Sequence, residues 1–472
     1  MVMSRREWLA RWSNGFGGLA LAAMLAEESR AAAATASRTL DPLRVRAPHR
    51  TPRATSVIFL FMDGGPSHVD TFDPKPRLEL ERGKPLPFPK APNSPGNPGE
   101  LFPSPFAFRN RGRCGTPVSD LFPHVGECAD DIAVIRSMVS DHSEHTAGNY
   151  FMHSGSGLQG RPSIGAWATY GLGSASKNLP GFIVLDSGMI PPGGVDVFGS
   201  GFLPASYQGT LFRNQKQPVA DLAPREPSVE LQRSKLRLLE KLDRGTLERS
   251  GAVSAIEAAI ANYELAFRMQ AEVPDLTDFG GESETTRALY GLDEKDTAEF
   301  GRQCLLARRM VERGVRFIEL LSPRRPGVDR WDQHGNLELG HGTNCKATDQ
   351  PIAALLKDLK ARGLLDTTLV VWGGEFGRTP MAQRGGRAPG RDHHPYGFSM
   401  WMAGGGVKGG IVHGATDEYG YYSVENKVHV HDLHATILHL LGIDHTRLTF
   451  HFSGRDMRLT DVHGKVVRGI LA

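Results

Sequence analysis

The strongest pattern along the chain is a series of short, mostly apolar runs, each followed by a polar or glycine-rich segment. They are Ser56 to Met62 (SVIFLFM), Asp131 to Ile135 (DIAVI), Phe182 to Leu185 (FIVL), Val315 to Leu320 (VRFIEL), Thr368 to Trp372 (TLVVW) and Phe398 to Ala403 (FSMWMA). Apolarity that is continuous rather than alternating predicts strands buried on both faces, as in a parallel sheet. Stretches with helical spacing lie between several of them: Asp296 to Glu312 precedes one run and Gln350 to Arg362 another. Strands alternating with helices predict an α/β fold with a doubly wound, mostly parallel sheet flanked by helices. In such sheets ligands bind beyond the carboxyl ends of the strands, so the polar residues following each run carry the functional interest.

Three regions break the alternation. Residues 74–115 are rich in Pro, Gly and Asn and predict a long surface excursion. Ser228 to Gln270 is helical in period, charged on one side, and gives out at Pro274, which predicts a helical insertion bounded at 226–273. At the N-terminus, SRREWL (Ser4 to Leu9) precedes an apolar run from Gly15 to Ala26 and an alanine tract from Ala31. That order reads as a twin-arginine export signal over residues 1–36, followed by a linker at 37–55 and the main domain at 56–472. The apolar run is about 12 residues long, against the roughly 20 that span a bilayer. No stable membrane anchor is therefore expected, and the protein is placed in the periplasm or outside the cell.

Composition narrows the field further. With 55 Lys and Arg against 52 Asp and Glu, the formal net charge is +3, and no block of like charge provides a nucleic-acid arm. A hydrophobic content of 40% supplies a large core. Cys114, Cys128, Cys304 and Cys345 show no paired metal-ligand spacing and leave room for at most a bridge or two.

The first run delivers MDGGPSHVDTFD. Asp63 stands at its tip, and the glycines that follow let the backbone turn while the carboxylate faces a cation. SDHSEHTAGNYFMHSG places His142, Ser143, His145 and Thr146 at a helix N-terminus, where an anion is favoured and a hydroxyl can act as nucleophile. DRWDQHGN offers Asp332 and His334 as a mixed donor pair suited to zinc or manganese, with His341 nearby read as a surface histidine. GGEFGRTP puts Glu375 at a second strand tip and supplies Arg378 as a fork for an anionic ester, while GRDHHPYGFSM adds Asp392, His393 and His394. Buried unpaired carboxylates are costly, so a cation shared among these groups is the economical reading. His429, His431, His434 and His439, around the last apolar helix, read as structural or as outer partners of metal ligands.

In their order, these residues resemble the alkaline-phosphatase-like superfamily of metallohydrolases: Asp63 on the first strand, the His142 to Thr146 cluster, Asp332 with His334, then Glu375 and His393. Within it, DGGPSHVDTFDPK, WDQHGN, GEFGRTP, GRDHHPYGFSMWMAGGGVKGG and HDLHATILHLLGID resemble the exported bacterial proteins of domain-of-unknown-function family 1501, over nearly all of the mature chain. The resemblance implies an alkaline-phosphatase-like fold. It also implies one or two divalent ions (zinc, manganese or calcium) held by Asp63, Asp332, His334, Glu375 and His393. Thr146, His145 or a hydroxide would be the nucleophile, and Arg378 would neutralise ester charge. The sequence departs from the superfamily in two respects. Glu375-Phe376 stands where an Asp-His pair is usual, and the C/S-x-P-x-R motif of formylglycine sulfatases is missing at the corresponding place. Alignment on His153-Ser154-Gly155 puts His145 at the nucleophile position, with Thr146 one residue on. The expectation is an exported metal-dependent hydrolase of phosphate or sulfate esters, acting on small-molecule or polysaccharide substrates. The alternative is a non-catalytic exported binding or assembly protein that keeps the fold and a structural ion.

Overall fold

The computed structural model describes residues 41–91, 99–213, 218–219, 222, 226–250, 254–383 and 388–472. The export signal expected at 1–36 lies outside them. All six apolar runs become strands of one central sheet: β1 (Ser56–Phe61), β2 (Ile132–Val139), β3 (Phe182–Asp186), β5 (Phe317–Leu321), β6 (Thr368–Gly373) and β7 (Phe398–Ala403). Three short strands complete it, β4 (Thr210–Arg213), β8 (Ile411–His413) and β9 (Val428–His429). The order is β8-β2-β7-β6-β1-β5-β3-β4, with β9 also paired to β2. Central β1 is parallel to both neighbours, with Ile58 opposite Ile318 and Val370.

Two cores explain why β1 is apolar at every position. Ile58, Leu60 and Met62 pack on one face with Phe300 and Leu305 of one helix (Ala298–Glu312) and with Ile352 and Leu355 of another (Leu337–Ala361). Val57, Phe59 and Phe61 pack on the opposite face with Trp167 (helix Ile164–Leu172) and with Leu433 and Ile437 (helix Val430–Leu440). Successive side chains leave a strand on opposite sides, so helices on both faces require an unbroken apolar run. The sheet is thus doubly wound and mostly parallel.

One strand, β7, is antiparallel to both β6 and β2. The chain leaves β6 at its carboxyl end, pairs Gly377–Arg378 with His393–His394, and re-enters the sheet from that same end. The whole GEFGRTP to GRDHH excursion therefore stays beside the carboxyl ends of β1, β5 and β6.

The charged region holds two long helices, Val229–Ser250 and Ser254–Thr277. By compactness, residues 226–263 group apart from the main body at 43–225 and 264–472. The excursion at 74–115 differs from a simple surface loop: Leu78, Ala91 and Leu101 are buried with Met381, Tyr419 and Tyr421 in a small satellite core. All four cysteines are free thiols, and only Cys114 is exposed. Among the described residues, no helix is long and apolar enough to cross a membrane.

Candidate metal centre

The carboxyl ends of β1, β5 and β6 open onto one group of side chains. The main chain after β1 turns at Gly64 with φ 106°, and a Cβ there would lie 2.7 Å from the backbone nitrogens of Trp331 and Asp332. Only glycine allows the loop after β1 to press so closely against the WDQH loop. The helix that follows β2 (His145–Ser154) starts here with Glu144 as its N-cap, accepting the Thr146 and Ala147 N–H groups. That cap aims His145 at the group.

One ligand atom from each of His145, Asp332, His334 and His393 falls within 4.8 Å of all the others. The hydrogen bonds at the far side of each ring fix the tautomers. His145 Nδ1–H donates to Glu375 Oε1 at 2.6 Å, His334 Nδ1–H to Gln383 Oε1 at 2.5 Å, and His393 Nδ1–H to the Ser143 carbonyl at 2.7 Å. With Nδ1 as the donor, each neutral ring presents a bare Nε2 lone pair on its other side. All three Nε2 atoms converge on the Asp332 carboxylate. His334 and His393 Nε2 lie 2.9 and 3.2 Å from Oδ1, and His145 Nε2 lies 3.1 Å from Oδ2, off the hydrogen-bond direction. His334 and His393 Nε2 are only 2.9 Å apart. Lone pairs packed together against a carboxylate repel unless a cation sits among them. Imidazoles whose outer N–H groups are tied to acceptors are the usual arrangement around a protein-bound metal.

Electrostatics follow from the same geometry. Burial alone would raise Asp332, but the imidazoles of His145, His334 and His393, when they carry a proton on Nε2, and the charge of Arg378 hold it well below the usual carboxylate range. Where a proton rather than a cation occupies the cluster, Asp332 and Glu375 outweigh the burial that works to lower His145 and push the imidazole up to about 9, so proton and cation compete for its Nε2. His334 is raised chiefly by Asp332, whereas burial lowers His393. An open pocket of about 290 Å³ adjoins the cluster, lined in part by Asp329, Asp332, His334 and Asn336.

The other residues expected at the site take different places. Glu375 is fully buried behind His145, its two oxygens also accepting the Gly64 N–H at 2.9 and 3.1 Å. Asp63 is also buried, and its Oδ2 pairs with Arg330 Nη2 at 2.8 Å instead of joining the cluster. Burial, opposed by Arg330 and reinforced by Glu375, pushes the Asp63 carboxyl up to about 7. Arg378, expected to grip an ester, is fully buried. It donates to the Gly64, Gly65 and Arg391 carbonyls and to Asp332, so it fastens the WDQH loop to the loop after β1. Thr146 is exposed, with its N–H and hydroxyl both turned to Glu144. His341, expected at the surface, is fully buried and accepts the Ser67 N–H at 3.0 Å. His431 and His434 donate to the Gly155 and Met152 carbonyls and pin the last helix to the helix that begins at His145.

Gln383, Arg330 and the buried pair His153–Glu319 were not picked out from the sequence. Gln383 lies in a loop without a motif, and Arg330 lies inside DRWDQHGN, where the donor pattern points only to Asp332 and His334. Glu319 had a signal, since it is the one acidic residue inside the apolar run from Val315 to Leu320.

The sequence matches the family described as "Protein of unknown function (DUF1501)" over residues 54–471. No curated protein matches it. Among solved structures, the chain is similar to the alkaline phosphatase from the Antarctic bacterium TAB5 (12% identity, TM-score 0.34, covering 83% of this chain and 99% of that one). It is also similar to the PsFucS1 sulfatase from Pseudoalteromonas sp. (13%, TM-score 0.34, 84% and 68%) and to the phosphonate monoester hydrolase SpPMH from Silicibacter pomeroyi (13%, TM-score 0.30, 68% and 68%).

Proposed function

The chain belongs to the DUF1501 family, and from that premise we propose that it is an exported, metal-dependent hydrolase of phosphate or sulfate esters. The observation that carries the reading is the convergence of three imidazole Nε2 atoms on Asp332, each ring held by an acceptor at Nδ1. Asp332, His334 and His393 hold one divalent ion, a mixed nitrogen and oxygen set suited to zinc or manganese. Bound there, the ion supplies Lewis-acid polarisation of an ester oxygen.

The remaining groups have their own tasks. Glu375 holds His145 by its Nδ1–H and leaves Nε2 facing the cluster, the arrangement of an imidazole that moves a proton or attacks directly. His145 takes that role rather than Thr146, whose hydroxyl is turned to Glu144. Arg378 fixes the position of Asp332, and no free guanidinium face remains for substrate. Export follows from the N-terminal sequence, and the substrates, small or polymeric, are anionic esters.

One observation favours a second reading. His145 is near enough to make the ligand set four-membered, and a closed set of four protein ligands is the mark of a structural ion. His145→Ala separates the two readings. In the hydrolase, the variant keeps its metal and loses turnover of aryl phosphate or aryl sulfate by about 10²–10⁴-fold, the usual worth of a general acid or base. In the structural-ion reading, the variant loses metal along with stability, and the wild type turns over none of the esters. His334→Ala and His393→Ala lose the metal in either case.

A further inference from the structure

We infer that Arg330 stands where a second divalent cation would otherwise bind, so that this centre takes one ion and not two. The inference deepens the reading above and rests on it. Two carboxylates, Asp63 and Glu375, lie next to each other at the tips of β1 and β6, outside the four-residue cluster. Both are buried, and the Gly64 N–H that follows Asp63 donates to Glu375. Adjacent buried carboxylates need a positive charge. The fixed charge on Asp63 is the Arg330 guanidinium, which is 8% exposed.

The guanidinium is not a mobile arm that has swung in. Its Nη1–H donates to the Met189 carbonyl at 3.0 Å and its Nη2–H to the Ile190 carbonyl at 3.1 Å, so the loop after β3 holds it from the other side. A guanidinium has donors but no coordination positions, so it neutralises Asp63 without polarising an ester oxygen. Proton transfer at the oxygen opposite the ion then falls to His145 and Glu375, where a two-ion site would place a second metal.

The test is metal stoichiometry of the full-length mature protein, stripped with a chelator, reloaded with Zn²⁺ or, separately, Mn²⁺, and read by elemental analysis and titration calorimetry. The wild type is expected to hold one ion per chain. Arg330→Ala, which exposes Asp63 beside Glu375, is expected to hold two, and Asp63→Asn is expected to keep one. Two ions in the wild type, with one lost in Asp63→Asn, overturn the inference and leave the hydrolase reading standing. So does a folded Arg330→Ala that still holds one. If Arg330→Ala does not fold, the wild type and Asp63→Asn counts decide by themselves. No ion in the wild type ends the metal-centre reading, and the inference falls with it.

Discussion

At the scale of single residues, the sequence exposed positions better than partnerships. Asp63 and Glu375 were legible because an acidic residue at the tip of an apolar strand has no place in a core. Which of the neighbouring donors such residues would face was not legible, because that depends on the pairing of Arg330 from a distant loop and on which nitrogen of each ring carries the proton. Glu319 shows what a buried charge requires. It sits in the middle of β5, fully buried, and its Oε1 accepts from His153 Nε2 at 2.6 Å. His153 Nδ1 also donates, to the Asn149 carbonyl at 2.7 Å, so Nε2 faces Glu319 alone, and with the shared proton on Nε2 the pair is an imidazolium and a carboxylate. Burial opposes that charge, but Glu319 more than compensates and the His153 pKa is raised. Removing one partner strands the other charge in an apolar core packed by Phe61 and Phe198. Glu319→Ala is therefore expected to lose about 3–5 kcal/mol of stability, read from urea unfolding monitored by circular dichroism. Glu319→Leu combined with His153→Leu, which removes both charges, should recover much of that loss. An unchanged unfolding midpoint in Glu319→Ala would show that the pair is not ionised.

At the scale of elements, burial decided what could be read. The six strands buried on both faces announced themselves by continuous apolarity, whereas β4, β8 and β9 are two to four residues long at or near the sheet's edges and left no periodic signal. The helix expected at Gln350 begins earlier, at Leu337, and runs through Pro351. Its first turns carry Glu338, His341, Asn344 and Lys346, and these polar positions hid the apolar stripe. The element that matters most for the site is the ten-residue helix from His145 to Ser154. Its start depends on Glu144, whose carboxylate accepts the Thr146 and Ala147 N–H groups at 2.9 and 3.0 Å. Losing a capping side chain costs about 1 kcal/mol, and here the frayed turn is the one that aims His145. Glu144→Ala should lower stability by about that amount while reducing turnover more than metal affinity. Equal losses in both would mean that the cap supports the ligands rather than His145.

At the scale of the whole molecule, acid sensitivity follows from how the fold uses its histidines. The chain carries 18 of them on a formal net charge of +3, and several are locked into the interior in the neutral form. Burial, only partly offset by nearby carboxylates or carbonyls, pushes both His341 and His434 down to about 3. In the unfolded chain each returns to about 6.5, so below that pH the unfolded state takes up protons that the folded state refuses. The contribution is whole above about 6.5, declines as the pH falls, and levels off near 3. At about 1.4 kcal/mol per pKa unit, even half of the shift at one histidine is worth a few kcal/mol. Buried carboxyls act in the opposite sense: Asp349, pushed up to about 6 by burial, protonates more readily in the folded state and offsets part of the loss between about 6 and 4. A difference measurement isolates the histidine. His434 donates from Nε2 to the Met152 carbonyl at 2.7 Å, and glutamine can keep that donor without titrating. His434→Gln is expected to cost some stability at pH 8 through imperfect packing, then to gain on the wild type steadily as the pH is lowered from 6.5 toward 4. Parallel stability curves for the two proteins over that range would mean that His434 is already protonated in the folded molecule, and that the interior near the last helix is more polar than its packing indicates.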